Sequence, residues 1–370
     1  MWLHQDPDVA ELAALYIQVS WLQVIPFGIV SILRKFLQNQ NIVNPLIISG
    51  FINIVLTTIS IIIMLYVFEW GFVSLPLNML FCNILSITYL SIVILYKKLW
   101  QKTYSPFTWN TFKGLPEFYK LAIPGMLMGC AEWWSYEIHV LVAGTISVAS
   151  LAAMSLLYTG LSLFYTFPLC MSITVSIKVG NAVGECDAKK AISYTRITEI
   201  VGVALQSILM TGLYLTSEKW PLLFTNDQEV LDILSGVMLL VCVFEAVDTA
   251  QNIMGGVLRG AGKQKIGAIA YITLFYLIAI PLGIILAIKY DMGIKGQWIG
   301  IMVGCTLILI VMLIYYFCIM NWDNIIEESQ KRIQELETLQ LESDTNEDTT
   351  DLENNEIEME TIEDEEPIEI

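Results

Sequence analysis

Long apolar runs separated by short polar stretches organise this chain. Runs long enough to cross a ~30 Å hydrocarbon layer as helix recur at roughly 10–33, 43–68, 72–96, 117–142, 150–177, 197–216, 231–257, 267–288 and 296–319. None shows the ~10-residue alternation of a closed barrel strand, and helices and barrels are the only structures that satisfy their own backbone in lipid. The pattern predicts an all-α integral membrane protein with about nine transmembrane helices.

Composition points the same way. Hydrophobic residues make up 56% and charged residues 15%, against about 25% charged in a soluble globule, and the mean hydropathy is +0.64. The net charge of −17 is confined to one end: residues 323–370 hold 19 acidic and 2 basic residues, whereas 1–322 hold 17 of each. With a neutral membrane part, nothing here draws nucleic acid. The seven cysteines are isolated, six in or beside apolar runs and Cys186 in a loop, which suggests neither a disulfide framework nor a zinc site. The glycine-rich GGVLRGAGKQK at 255–265 lacks the phosphate-loop pattern and a preceding strand. It is expected to form a compact turn, as VGNAVGE at 179–185 is expected to form a tight helix end. No nucleophile stands with a base, and no enzyme is predicted.

Basic residues orient the spans. One set of loops carries fourteen lysines and arginines (among them Arg34, Lys35, Lys97, Lys98, Lys189, Lys190 and Arg196), and the alternate set carries only Lys219, Lys289 and Lys295. The rich set is expected in the cytoplasm, together with the acidic tail. Residue 1 then lies outside, although MWLHQDPDVAEL is no signal peptide.

Three local patterns occur twice in order. Asp6-Pro7-Asp8-Val9 is matched by Asp227-Gln228-Glu229-Val230, Leu33-Arg34 with Gln40 by Leu258-Arg259 with Gln264, and Glu69-Trp70-Gly71-Phe72 by Asp291-Met292-Gly293-Ile294. Helices one to three thus repeat as seven to nine in the same orientation, a parallel repeat of the kind some secondary transporters use. Partners for helices four to six would all precede Met1. The repeat predicts a chain shortened at its N-terminus relative to a twelve-helix, two-lobed protein.

From QDPDV at 5–9 to Trp322 the chain resembles eukaryotic transporters of the MATE (multidrug and toxic compound extrusion) family. The motifs are FLQNQNIVNP (36–45), PGMLMGCAEWWSYE (124–137), SIKVGNAVGECDAKKA (176–191), FEAVDTAQNIMGGVLRGAGKQKIGA (244–268) and IPLG (280–283). The resemblance implies two six-helix lobes facing a central cavity and export of organic cations or other metabolites against inflowing protons or sodium. No other cofactor is implied, and no partner beyond the cargo and the bilayer; the oligomeric state is left open. The plasma membrane is the expected location, with a vesicle or vacuole membrane as the alternative. Thr159 stands where mammalian relatives tend to carry glutamate. Asp248 and Gln251 stand as in plant-type members, and Glu245 matches the animal pattern.

Acids in mid-membrane cost about 2.5–3.5 kcal/mol each on insertion scales and are functional candidates for that reason. Glu132 and Glu137 fall in helix four, and Glu245 and Asp248 lie three residues apart in helix seven. Desolvation favours the neutral acid, and a neighbouring carboxylate favours it further, so such a group can exchange its proton for a cation. These four are the predicted cation, proton and substrate ligands, and no catalytic residue or metal ligand is assigned. Trp133, Trp134, Tyr158, Thr159, Gln251 and Tyr276 are the candidate cavity contacts. Pro26, Pro168 and Pro281 are candidate hinges. The chain divides on this reading into a partial N-terminal lobe (1–100), an inter-lobe linker (101–116), a C-terminal lobe (117–320) and a largely disordered acidic tail (321–370). Two other readings stay open: a truncated, non-transporting membrane protein or incomplete gene product, and a flippase for lipid-linked sugars with the same two-lobe plan.

Overall fold

The computed structural model describes residues 7–102, 112, 114–335 and 338. Among them all regular structure is helical. The main helices are α1 (Pro7–Asn39), α2 (Asn44–Tyr66), α3 (Gly71–Tyr96), α4 (Leu115–Ile146), α5 (Val148–Gly184), α6 (Ala188–Leu215), α7 (Gln228–Gly260), α8 (Gln264–Lys289) and α9 (Gly293–Ile319), and a short α10 covers 322–335. Eight of the nine main helices are long and apolar enough to cross a membrane. The exception, α4, has 32 residues and the length to cross, but its middle carries Glu132, Ser135, Glu137 and His139, which lower its hydropathy. The first three helices form one compact unit and the helices from α4 onward a second.

Helix ends extend past the apolar runs because polar caps start them early. Asp187 Oδ1 accepts from the Lys190 N–H at 3.0 Å, so α6 begins at Ala188, well before the apolar run near 197. That N–H, helped by the Lys190 ammonium, holds the Asp187 carboxyl below the usual carboxylate range. Asp227 caps α7 through the Glu229 N–H (3.0 Å), and Ser147 caps α5 through the Ser150 N–H (2.9 Å).

Two turns recur at nearly the same spacing, Asn41 with Gly262 and Glu69 with Asp291. After α1, Ile42 N–H donates to Leu37 O and Asn41 N–H to Gln38 O, both at 2.9 Å, with Asn41 at φ 59°. After α7, Lys263 N–H donates to Leu258 O and Gly262 N–H to Arg259 O, with Gly262 at φ 70°. Both are the same left-handed helix stop. Leu258 therefore corresponds to Leu37 in this turn, one helical turn on from the Leu33 that the residue pattern aligns. The second pair matches atom for atom: Trp70 N–H donates to Met64 O and Met292 N–H to Leu286 O, each at 3.1 Å, with Glu69 and Asp291 both at φ 53°. Asp6, from the first pattern, lies outside the described residues.

In the first unit Leu37, Leu90 and Ile94 form a small core. A polar seam joins α2 to α3: Ser60 bonds Asn78, Asn78 Nδ2 donates to Thr57 O (3.2 Å), and Thr57 Oγ1 donates to Cys82 Sγ (3.2 Å). Helices in lipid gain little from apolar contact with each other, so such bonds and close packing hold them together.

The second unit closes on small residues. A Cβ at Gly256 would fall on the Ser172 carbonyl of α5, and one at Gly260 on the Ser176 carbonyl. The glycine-rich run is therefore mostly α7 itself, a Gly-x-x-x-Gly face that lets two backbones touch; only Gly262 sits in the turn. The run at 179–185 forms the end of α5 as expected: Gly180 meets the Gly260 carbonyl, and Asp187 N–H donates back to Ala182 O past a left-handed Cys186. Gly300 and Gly304 of α9 pack in the same way against Gly283 and Ala279 of α8. Around Pro281 the α8 helix widens into two π-helical stretches, Phe275–Ala279 and Ile285–Lys289. Such wide turns let a helix absorb a proline that removes a backbone donor.

Helix α10 packs on the second unit through Ile325, which is 1% exposed. Lys263 Nζ lies 2.6 Å from Glu328 Oε2, and Gln330 Nε2 donates to the Gly184 carbonyl at 3.4 Å. The amphipathic start of the tail is thus ordered helix. The acidic stretch from 339 onward, and most of the expected linker at 101–116, lie outside the described residues.

Candidate functional site

Helix α7 places Glu245, Asp248, Gln251 and Asn252 at spacings of three and four, so they share neighbouring faces of one helix. All four are buried, as is Glu132 of α4. Asn252 Nδ2 donates to Asp248 Oδ2 at 3.0 Å and lies 3.5 Å from Glu132 Oε1. Gln251 Nε2 donates to the Tyr271 hydroxyl at 3.2 Å and stands 3.5 Å from the same Glu132 oxygen. At 3.5 Å these amide contacts are long and loose. Glu245 turns toward α6, where Gln206 Nε2 donates to its Oε2 at 2.9 Å. Asp248 Oδ1 is buried without a hydrogen-bond partner.

Neutral amides, then, donate to all three buried carboxyls, and the Tyr136 hydroxyl also faces Asp248. Among the described residues none of the three is in an ion pair. Arg259, near the end of α7, donates from Nη2 to Ser172 Oγ (2.6 Å), and Ser172 donates in turn to the Asn252 carbonyl (2.5 Å). One nitrogen of its guanidinium thereby holds a hydroxyl that braces the backbone of the amide-bearing turn, and its charge acts on Glu132 from a distance without pairing with it.

Beside this network lies a cavity of about 130 Å³. Glu245, Asp248 and Glu137 line it together with aromatic rings: Trp133, Tyr136, Tyr158, Tyr165, Phe244 and Trp298. The rings brace one another edge to face. Tyr158 and Trp298 are 5.8 Å apart between centroids, Phe244 and Trp298 5.3 Å, and Trp133 and Tyr165 5.7 Å. Tilted contacts of this kind hold ring faces in fixed directions.

Of the residues singled out from the sequence, Glu137, Glu245, Asp248, Trp133 and Tyr158 meet at the cavity; Glu132 joins it through Asn252, and Gln251 through Glu132. The others do not. Trp134 is 62% exposed and is not among the lining residues. Thr159 is exposed and donates to the Ser155 carbonyl of its own helix (2.8 Å). Tyr276 donates to the Ala131 carbonyl at 3.4 Å, behind Glu132 in α4. His139 is fully buried beside Gly283. Gln297, with its amide turned to satisfy both ends, donates to the His139 carbonyl at 2.7 Å and accepts from the Ala143 N–H, an α4–α9 tie away from the acids.

The comparisons with known proteins fall on these same elements. A family model described as MatE matches residues 124–285, from Pro124 in α4 into α8. Multidrug and toxin extrusion protein 2 of Mus musculus is 32% identical over 89% of this chain and 57% of its own length. Multidrug and toxin extrusion protein 1 of Danio rerio is 30% identical over 88% of this chain and 55% of its own. The crystal structure of the eukaryotic MATE transporter AtDTX14 superposes with a TM-score of 0.86 at 23% identity, covering 90% of this chain and 74% of that one.

The chain belongs to the MATE family. It spans little more than half the length of these curated relatives. In this MATE chain the helices inside the matched region supply Glu132, Glu245, Asp248, Gln251, Asn252 and Gln206. Several site residues escape a reading of the sequence alone. Asn252 and Gln206 are amides, and an amide in an apolar run is cheap enough to pass unremarked. Tyr136, Tyr165, Phe244 and Trp298 belong to a chain with 16 tyrosines, 15 phenylalanines and 10 tryptophans, where ring identity alone selects nothing. Spacing offered one signal: Tyr136 is four residues from Glu132, and Phe244 is four from Asp248.

Proposed function

We propose that this protein is a secondary active transporter that exports small organic cations by antiport, with protons (sodium being the alternative) as the counter-flowing ion. The observation that carries this reading is the amide-held trio Glu132, Glu245 and Asp248, buried at an aromatic cavity with none of them in an ion pair among the described residues. Carboxyls placed there accept either a proton or an external cation, and occupancy by one excludes the other. Antiport requires that competition. The rings of Tyr136, Tyr158, Tyr165 and Trp298 suit the cargo, since a cation over an aromatic face gains about 0.5–2 kcal/mol.

In this scheme Asp248 and Glu245 meet the exchanged charge at the cavity wall. Glu132 exchanges behind them, with its charge state relayed to Asp248 through the shared Asn252 amide. Glu137, exposed at the cavity edge, acts as a weaker outer contact. Uptake of protons from outside drives the cycle when the basic loops face the cytoplasm, the orientation we adopt together with a plasma-membrane location and a cytoplasmic C-terminus.

The test is pH-gradient-driven efflux of a fluorescent organic cation from vesicles containing the full chain. Glu132→Gln is expected to lower the gradient-driven rate at least about tenfold, the scale of one lost charge-assisted contact. An unchanged rate in a protein that otherwise transports removes Glu132 from the coupling role. Absence of flux in the unaltered chain under any gradient favours a non-transporting role instead.

A further inference from the structure

A second, larger cavity lies on the other side of α7. It measures about 510 Å³ and is walled by α6, α7, α9 and the start of α10, within the roughly 300–1,000 Å³ range of small-molecule sites. Its lining is amphipathic. Arg196 and Glu199 stand one turn apart on α6, with Tyr316 and Trp322 across from them and Ile200, Leu313 and Phe317 leading outward. Arg196 and Glu199 face one cavity without pairing, and Glu199 Oε1 is buried with no hydrogen-bond partner. The apolar rim is open: Ile200 is 64% and Phe317 75% exposed.

Depth fixes the kind of ligand. From Arg196 to Leu215 the helix is just long enough to cross a ~30 Å hydrocarbon core at 1.5 Å per residue. Arg196 and Glu199 therefore sit where hydrocarbon meets headgroups, the level at which Tyr and Trp are enriched. The Tyr316 and Trp322 rings are 6.1 Å apart and nearly perpendicular, offering a face and an edge beside Glu199. A guanidinium matches a phosphodiester. A carboxylate flanked by aromatic faces matches an alkylammonium.

We propose that this cavity binds one zwitterionic phospholipid, with its phosphate on Arg196, its amine between Glu199 and the two rings, and its acyl chains along Ile200, Leu313 and Phe317. The site is separate from the carboxyl trio, so the inference stands apart from the transport reading. The amine contact makes the site selective. An anionic glycerol headgroup satisfies Arg196 but leaves Glu199 facing a like charge or none.

Native mass spectrometry of the delipidated full chain, offered phosphatidylethanolamine or phosphatidylglycerol in detergent, tests this without any gradient. One phosphatidylethanolamine is expected per protein, retained at least about tenfold better than phosphatidylglycerol, the factor a charge-assisted hydrogen bond supplies. Glu199→Gln should abolish that preference, Arg196→Gln should lower retention of both lipids, and Phe317→Ala, on the open rim, should weaken both a few-fold. Equal retention of the two lipids by the unaltered protein overturns the proposal, and this comparison decides even where a variant fails to fold. Unchanged preference in a monodisperse Glu199→Gln protein also overturns it. Displacement of the lipid by an equal concentration of free phosphoethanolamine would replace the lipid site with one for a soluble zwitterion.

Discussion

Asn252 is the residue on which the carboxyl cluster turns. A single Nδ2 faces Asp248 at 3.0 Å and Glu132 at 3.5 Å, and its backbone carbonyl is held by Ser172. Asn252→Leu leaves two buried carboxyls without their shared donor. An unmade buried bond costs about 1–3 kcal/mol, so thermal unfolding in detergent is expected to shift down. In the same variant, occupancy of Glu132 and Asp248 should become independent, read as a loss of cooperativity in the pH dependence of substrate binding. The acids themselves were legible in the sequence because a charge in lipid is costly enough to stand out. The amides that serve them were not, because their price in an apolar helix is small and their partners are 39 to 120 residues away.

At the scale of helices, length and apolarity located the membrane spans, and capping explains why the helices overrun them. What the apolar pattern hid was the seam between α5 and α7. Glycines at 255, 256 and 260 read as a turn because glycine is the usual turn residue; the Gly-x-x-x-Gly spacing was the signal that they pack. Gly256→Ala pushes a methyl group into the Ser172 carbonyl, the same residue that braces Asn252. Backbone cannot yield as a side-chain tip does, and overpacking costs about 1–3 kcal/mol or more. Expression and melting temperature are expected to fall. Gly236→Ala, at a position on the same helix with open space around it, is expected to be neutral or slightly stabilising because alanine favours helix over glycine by about 1 kcal/mol. Equal effects of the two would place the cost elsewhere than the seam.

For the molecule as a whole, the internal repeat was legible as three short matches, and the backbone turns sharpen it. Left-handed residues and their hydrogen bonds recur at nearly the same spacing even where side chains have diverged, as with Asn41 and Gly262. Sequence alone could not set the Leu33-Arg34 match to the right helical turn, since leucines at 33 and 37 serve equally well in an apolar pattern. The tail's first part attaches the chain's end to this framework. Ile325 is its buried anchor, whereas the Lys263–Glu328 pair is half in water and worth at most about 1 kcal/mol. Ile325→Asp is expected to release α10, seen as rapid proteolytic cleavage within 323–335, while Lys263→Ala should change the cleavage rate little. The reverse order would make the ion pair the anchor. Glu327 and Lys331, paired at 2.6 Å along the same helix, hold the Glu327 carboxyl below its usual range and the Lys331 ammonium above its own. Both stay charged across neutral pH, so the support this pair gives the α10 helix itself should not vary between pH 6 and 8, read as unchanged resistance to cleavage within 323–335.

The two widened stretches of α8 change how that helix must be counted. A π turn holds one residue more than an α turn, so each stretch slips the angular order of every side chain beyond it. A helical wheel drawn from Gln264 at 3.6 residues per turn assigns the wrong faces by Lys289. Paired cysteine or spin-label probes placed by such a wheel, one before Phe275 and one after Ile284, would point in different directions from those intended. Distances measured between them would then report a rotation that the helix already contains at rest.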